Sequence, residues 1–314
     1  MAVGQVLSLN KANKLSKKNK YLEIWRQHKE KYILIAPFGI IFVCFTVVPI
    51  IVSIVLSFTS FNMLELPEFV GLRNYINLIV NDSVFLIAIK NTLLFAIITG
   101  PISYIMCFGF AWLINELPPK IRALMTLAFY APSISGNAYL IWKLIFSSDM
   151  YGYANAWLMK LGLISEPILW FDTKEYVMPI LIIVQLWLSL GVGFLAFIAG
   201  FQTIDKSLYE VGMIDGIKNR WQELWYITLP SMKPQLMFGA VMQITQSLSV
   251  AGISMELAGF PSVEYAGHTI LTHLYDYGNI RFEMGYASAI ATLLFFIMMF
   301  SNIIVQKLLR RVGE

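Results

Sequence analysis

Tyr209-Glu210-Val211-Gly212-Met213-Ile214-Asp215-Gly216, running on to Leu229-Pro230, lies between two uncharged apolar runs, 176–204 and 235–255. Each run holds roughly 20 residues or more, and at about 1.5 Å per residue crosses a ~30 Å hydrocarbon layer. The linker itself is unlike an ordinary polar loop. Tyr209, Met213, Ile214, Trp221, Leu224 and Trp225 crowd into it, and a contiguous apolar surface exposed to water marks a partner site.

Outward from that linker, four more uncharged apolar runs appear, at 32–60, 91–115, 123–142 and 284–306. The chain is 58% hydrophobic and only 13% charged, with a mean hydropathy of +0.67. Those values exclude an ordinary soluble domain. They predict an all-α polytopic membrane protein with six transmembrane helices, one domain over 32–310 behind a basic segment, 1–31. The first run begins some thirty residues in, is too long for a signal-peptide core and lacks a small-residue cleavage site, so it is expected to remain as an anchor.

Orientation follows from lysine and arginine. Residues 1–31 carry eight, the turn at 116–122 two, the 202–234 loop four and the segment after 306 three; that places 17 of 23 on one side. Both termini and the Glu210 loop are therefore expected in the cytoplasm. The net charge of +4 reads as this topological bias, and no basic groove exists to bind nucleic acid. In the basic lead, Trp25 could anchor a short surface helix. Cys44 and Cys107 fall inside apolar runs and act as small apolar residues. His28, His268 and His273 lack partners at ligand spacing, so no metal site is expected.

Within the loop, at about 205–234, Asp205 is a candidate N-cap for a helix over 206–213, and Gly216 suits the left-handed residue that ends it. Asn219 followed by Gln222 predicts a second short helix near 220–226, closed by Leu229-Pro230. The expectation is a helix–turn–helix along the bilayer face. Glu210 and Asp215 supply its acids; Leu208, Tyr209, Met213, Ile214 and Trp221 supply its apolar centre.

The order Glu210-x-x-x-x-Asp215-Gly216 with Leu229-Pro230 resembles the cytoplasmic loop of ABC-importer permeases that work with an external binding protein. Phe69-Val70-Gly71-Leu72-x-Asn74-Tyr75, Asn91-Thr92, Ile227-Thr228-Leu229-Pro230 and Gly285-Tyr286-Ala287-Ser288-Ala289 are similar to blocks of the sugar-uptake branch, and together they cover roughly 30–310. Two departures stand out. The family's usual alanines after the glutamate are Val211-Gly212 here, with Ile217 where another alanine is usual. The glycine-rich turn of many relatives reads Leu257-Ala258-Gly259-Phe260-Pro261.

The resemblance implies the first permease of a pair in the cytoplasmic (inner) membrane of a bacterium. Its partners would be a second homologous permease, two ABC ATPase subunits, an extracytoplasmic solute-binding protein and a sugar, most simply an oligosaccharide. No Gly-x-x-x-x-Gly-Lys-Ser/Thr loop occurs in the sequence, so ATP and Mg would be bound by the partner ATPase and this chain would be no enzyme. Glycerol phosphate or another small polar solute is the alternative cargo, and an ion-coupled carrier the remote one. By position, Gln246 and Ser249, and Trp187 and Ser189 before the loop, match the family's sugar-contacting stretches; Gln243, a polar group in the same apolar run, is a further path candidate. Amides, hydroxyls and an indole face suit a sugar. The same groups could equally serve as hydrogen bonds between helices.

Overall fold

A computed structural model describes residues 28–309 and is almost entirely helical. The basic lead up to residue 27, with Trp25, and residues 310–314 lie outside the described residues. The described residues fall into two units, 28–55 and 56–309.

In the first unit the described residues belong to one helix, His28–Leu56, which buries none of its most apolar window. Its turn at Val43–Val47 is a π-turn, with the Val48 amide bonded to the Val43 carbonyl. Pro49 follows, and its missing N–H breaks the regular ladder at this point, where a widened turn absorbs the mismatch.

The second unit begins with a short antiparallel pairing of Thr59–Ser60 with Glu68–Phe69. Asn74 fastens it from below: its buried amide donates to the Ser57 and Thr59 carbonyls, both at 2.9 Å. Gly285 fastens it from the side, its amide bonding to the Phe61 carbonyl at 3.0 Å. A β-carbon on Gly285 would collide with the Thr59 carbonyl oxygen. Asn91 donates to the Tyr265, Ala266 and His268 carbonyls, and Thr92 accepts from the Ile270 amide at 2.9 Å. Asn74, Asn91-Thr92 and Gly285 are thus structural pegs; each satisfies backbone groups of a segment distant in sequence.

Three further helices are long and apolar enough to cross a membrane: Ser83–Asn115, Lys174–Thr203 and Met284–Leu309. A fifth candidate is the pair Lys233–Leu248 and Gly252–Ala258, bent by 40°. The 123–142 run, expected as one span, is divided into Pro119–Ile134 and Tyr139–Ile145. Ser135, Gly136 and Asn137 interrupt it, with turn hydrogen bonds at Ser135 and Asn137, three residues after Pro132 has removed a ladder donor. An uncharged run sets burial in apolar surroundings; it does not guarantee an unbroken helix.

Ser83–Asn115 is the central post. Cys107, Ala111 and Ile114 pack with Phe194, Phe197, Phe201, Met232 and Leu236 in one buried cluster. Gly239 lies so close under the Phe197 ring that no β-carbon would fit. Small residues let helix backbones approach in this way where solvent exclusion supplies no drive.

Candidate functional site

The 205–234 segment forms two short helices at the end of the molecule that carries the 116–119 turn. Asp205 caps Lys206–Ile214, accepting from the Ser207 amide at 2.9 Å, and this hydrogen bond lowers its carboxyl pKa. Gly216 follows with φ +95°, a conformation that a β-carbon would strain. Asn219 caps Arg220–Glu223 by accepting from the Gln222 amide, while the Gln222 side chain accepts from the Lys218 amide. The chain then widens into a π-turn at Leu224–Thr228.

Two contacts hold this unit against the central post. Arg220 bridges Glu116 at 3.1 Å and Glu223 at 2.7 Å, and the Trp221 ring meets Trp112 edge-on at 5.2 Å. The Tyr209 hydroxyl on the first helix meets the Thr228 hydroxyl at the end of the π-turn at 3.0 Å. Leu208, Met213, Ile214, Trp221 and Trp225 stay exposed, Ile214 to 84%. Glu210, Asp215 and Gly216 are exposed beside them, while Tyr209, Leu229 and Pro230 are half-buried. Leu224, expected on the open face, is buried instead; the π-turn directs it inward beside Ile227.

The five path candidates separate into two groups. Gln243 is buried and donates to the Cys107 sulfur at 3.1 Å and the Ser189 carbonyl at 3.2 Å. Ser189, fully buried, donates to the Leu186 carbonyl at 2.6 Å. Both therefore serve contacts between or within helices. Gln246, Ser249 and Trp187 lie nearer open space. Gln246 is partly exposed, yet its Oε1 is buried with no hydrogen-bond partner among the described residues. Ser249 ends its helix at the start of the bend, and Trp187 packs edge-on against Trp142 at 5.6 Å. A β-carbon on Gly191 would come within 3.3 Å of the Gln246 amide nitrogen. The break at 189–191 in one long helix thus faces the end of Lys233–Leu248, next to the bend at 249–251. Irregular backbone at such depth persists where it is buried in protein or lines a cavity.

No protein-family model matches the chain. The probable ABC transporter permease protein YesP of Bacillus subtilis is 33% identical over 268 residues, 83% of this chain and 84% of that protein. The arabinooligosaccharides transport system permease protein AraP of the same organism is 31% identical over 279 residues, 88% of this chain and 87% of that protein.

The chain belongs to the sugar ABC-transporter permeases.

The trehalose/maltose transport system permease protein MalF of Thermococcus litoralis, 28% identical, extends over 94% of the permease and 97% of its own length. The fold agrees with the crystal structure of a bacterial ABC transporter that imports the acidic polysaccharide alginate: TM-score 0.74, 24% identity, 93% of this permease and 100% of that chain. A second structure of an alginate transporter, in complex with an alginate pentasaccharide-bound periplasmic protein, gives 0.75 at 23% identity, with 92% and 98% covered. The permease is accordingly a multi-pass membrane protein, and its relatives are transport subunits.

Two of the three unusual residues of the 205–234 segment, Gly212 and Ile217, meet each other. A β-carbon on buried Gly212 would approach Ile227 Cδ1 to 2.6 Å and Ile217 Cδ1 to 3.1 Å. Ile217 fills the room that the glycine leaves, so the departures offset one another.

Sequence reasoning missed one cluster in the permease. Asp82 caps Ser83–Asn115 through the Phe85 amide, and its Oδ2 accepts from His273 at 3.0 Å, Tyr286 at 3.0 Å and Tyr277 at 3.3 Å. His273 Nδ1 in turn lies 3.1 Å from His268 Nε2. Burial pushes the Asp82 carboxyl up, but the Phe85 amide, His273 and Tyr286 outweigh it and hold it below the usual value. Burial and the neighbouring His273 push His268 down to about 4, and burial lowers His273 against the pull of Asp82. The histidines stand five residues apart across a cap, and Asp82 is almost two hundred residues away. No spacing rule links them.

Proposed function

We propose that this permease is one half of the membrane channel of an ATP-driven importer for carbohydrate, most simply an oligosaccharide. Cargo passes from an external binding protein to the cytoplasm by alternating access. Six spans cross the membrane, the divided 119–145 segment serving as the third and the bent 233–258 pair as the fifth. The Lys206–Ile214 and Arg220–Glu223 helices face the cytoplasm and fit a groove on a separate ATPase subunit. Two ATPases and a second, homologous permease complete the core, with ATP and Mg held by the ATPases.

The observation that carries this reading is the exposed apolar face of those two helices, fastened to the central post by Arg220–Glu116 and Trp221–Trp112. A face left open yet packed against the central post suits a piece that must transmit a push. ATP binding favours the closed ATPase pair and so shifts the permease between its two states, to the extent that it binds one state better. Cargo preference draws on the named relatives, whose transport systems handle arabinooligosaccharides and trehalose or maltose.

The test is reconstitution of the permease with the ATPase, second permease and binding protein encoded beside it, followed by ATP-dependent uptake of labelled oligosaccharides. Gly216→Pro, which cannot adopt the observed positive φ, should abolish uptake and ATPase retention while leaving membrane insertion intact. Full uptake by that variant would sink the proposal.

A further inference from the structure

The Thr59–Phe69 hairpin, the first turns of Ser83–Asn115 and Met284–Leu309, and the 276–283 turn enclose an open groove of about 1190 Å³. It lies at the opposite end of the permease from the 205–234 helices, since Ser83 and Asn115 terminate the same helix.

Its floor is polar and mostly committed. Asp82 already receives three side-chain donors, Asn81 donates to Asn77 at 3.0 Å, and Arg281 is held by Asp276 at 2.6 Å while stacking 4.3 Å over the Tyr277 ring. Two charged groups are the exceptions: Arg73 and Glu283 line the groove and are exposed, and neither side chain has a hydrogen bond or ion pair among the described residues.

The rim is apolar: Met63, Leu64 and Phe282 line the groove and are exposed, Leu64 to 91%. The short helix that carries Arg73 continues this surface, with Ile76, Ile79 and Val80 exposed on it. Both long helices that start at the groove are of membrane length, so it sits where hydrocarbon meets head groups. Apolar side chains at that level are covered by lipid, and a surface helix with one such face lies in that layer.

An uncommitted guanidinium and an uncommitted carboxylate over an apolar rim call for an amphiphile whose head group carries a phosphate for Arg73 and an ammonium for Glu283, a zwitterionic phospholipid. The planar fork of arginine matches phosphate bidentately. A free sugar would leave both the charges and the rim unmet. We propose that this groove holds the head group of a zwitterionic glycerophospholipid of the leaflet remote from the 205–234 helices. Its phosphodiester sits on Arg73, its ammonium on Glu283, and its acyl chains run from Met63 and Leu64 along Ile76 and Ile79. This inference requires only that the chain spans a membrane, and it stands apart from the identity of the cargo.

The assembled transporter in nanodiscs containing a photoactivatable zwitterionic phospholipid provides the experiment. Label should map to the peptides that carry Met63–Leu64 and Phe282 and fall at least tenfold in Arg73→Gln, with partial retention in Arg73→Lys. Leu64→Asp, on an exposed side chain, should independently lower labelling. Arg73 is exposed, so the variant should insert and assemble as wild type; elution volume in detergent checks this. Undiminished labelling of a well-assembled Arg73→Gln overturns the proposal. So does displacement of the label by soluble glycerol phosphate, which would make the occupant a free phosphate. Capture of the binding protein or second permease by a photoreactive residue at position 64 overturns it as well.

Discussion

Gly212 and Ile217 form a matched pair. Adding one methyl group at Gly212 drives a β-carbon into Ile227 and Ile217, and overpacking of this kind costs about 1–3 kcal/mol. Gly212→Ala should therefore weaken ATPase retention and slow uptake. Trimming the nearer side chain in Gly212→Ala/Ile227→Val, which removes the 2.6 Å contact, should recover most of the loss, and Gly212→Ala/Ile217→Val a smaller part, a non-additivity expected of residues in contact. Co-purification of the ATPase with each variant measures it; equal losses in single and double variants would refute the pairing. At the other end, His268 and His273 both bind protons less readily folded than unfolded. The unfolded chain takes up the proton first, so stability is intact above about pH 6.5 and declines as pH falls. For His268 the loss is complete near its folded value of about 4 and amounts to about 3 kcal/mol. The lowered Asp82 carboxyl contributes in the same direction only below its ordinary value of 3.8. Thermal unfolding in detergent between pH 7.5 and 4.5 should show this slope, and His268→Gln, which keeps a donor toward His273, should flatten it.

Among the helices, the two glutamines of Lys233–Leu248 carry opposite expectations despite lying three residues apart. Gln243 spends its amide on Cys107 and Ser189 between helices, a bond worth roughly 1 kcal/mol. Gln243→Leu should lower the yield of folded protein modestly and leave the KM for cargo unchanged. Gln246 holds an unsatisfied oxygen beside the break at 189–191. Gln246→Ala should raise KM about tenfold with normal assembly; uptake kinetics set against protein level separate the two cases. The sequence could not make this distinction, because both glutamines sit in the same uncharged run and which way a helix face turns depends on neighbours far along the chain. The helix caps at Asp205 and Asn219 were legible, since their partners lie two or three residues away. So was the left-handed Gly216. The split of 119–145 was half legible: Pro132 and Gly136 were visible, but charge and hydropathy alone do not register a lost ladder. The Asp82–His273–His268 chain was invisible for a related reason, as its geometry exists only once Ser83–Asn115 and Ile270–Tyr275 are packed together.

Across the permease as a whole, the two ends of Ser83–Asn115 carry different chemistry. One bears the apolar 205–234 helices with Arg220, Lys206 and Lys218; the other bears the groove, the buried histidines and the 276–283 turn. The lysine and arginine bias argues for a cytoplasmic first end, and the proposed mechanism needs that orientation, because it puts the ATPases on that side. A cysteine placed at exposed Met213, in a background with Cys44 and Cys107 replaced by serine and alanine, should resist a membrane-impermeant maleimide in intact cells and react in inverted vesicles. A cysteine at exposed Asn279 should behave in the reverse manner. Cys107 is buried against the Ser189 carbonyl, so its replacement needs an uptake control before the labelling is interpreted. Labelling of position 213 from outside intact cells would turn the molecule over, remove the 205–234 helices from any ATPase, and leave the charge bias without a physical cause.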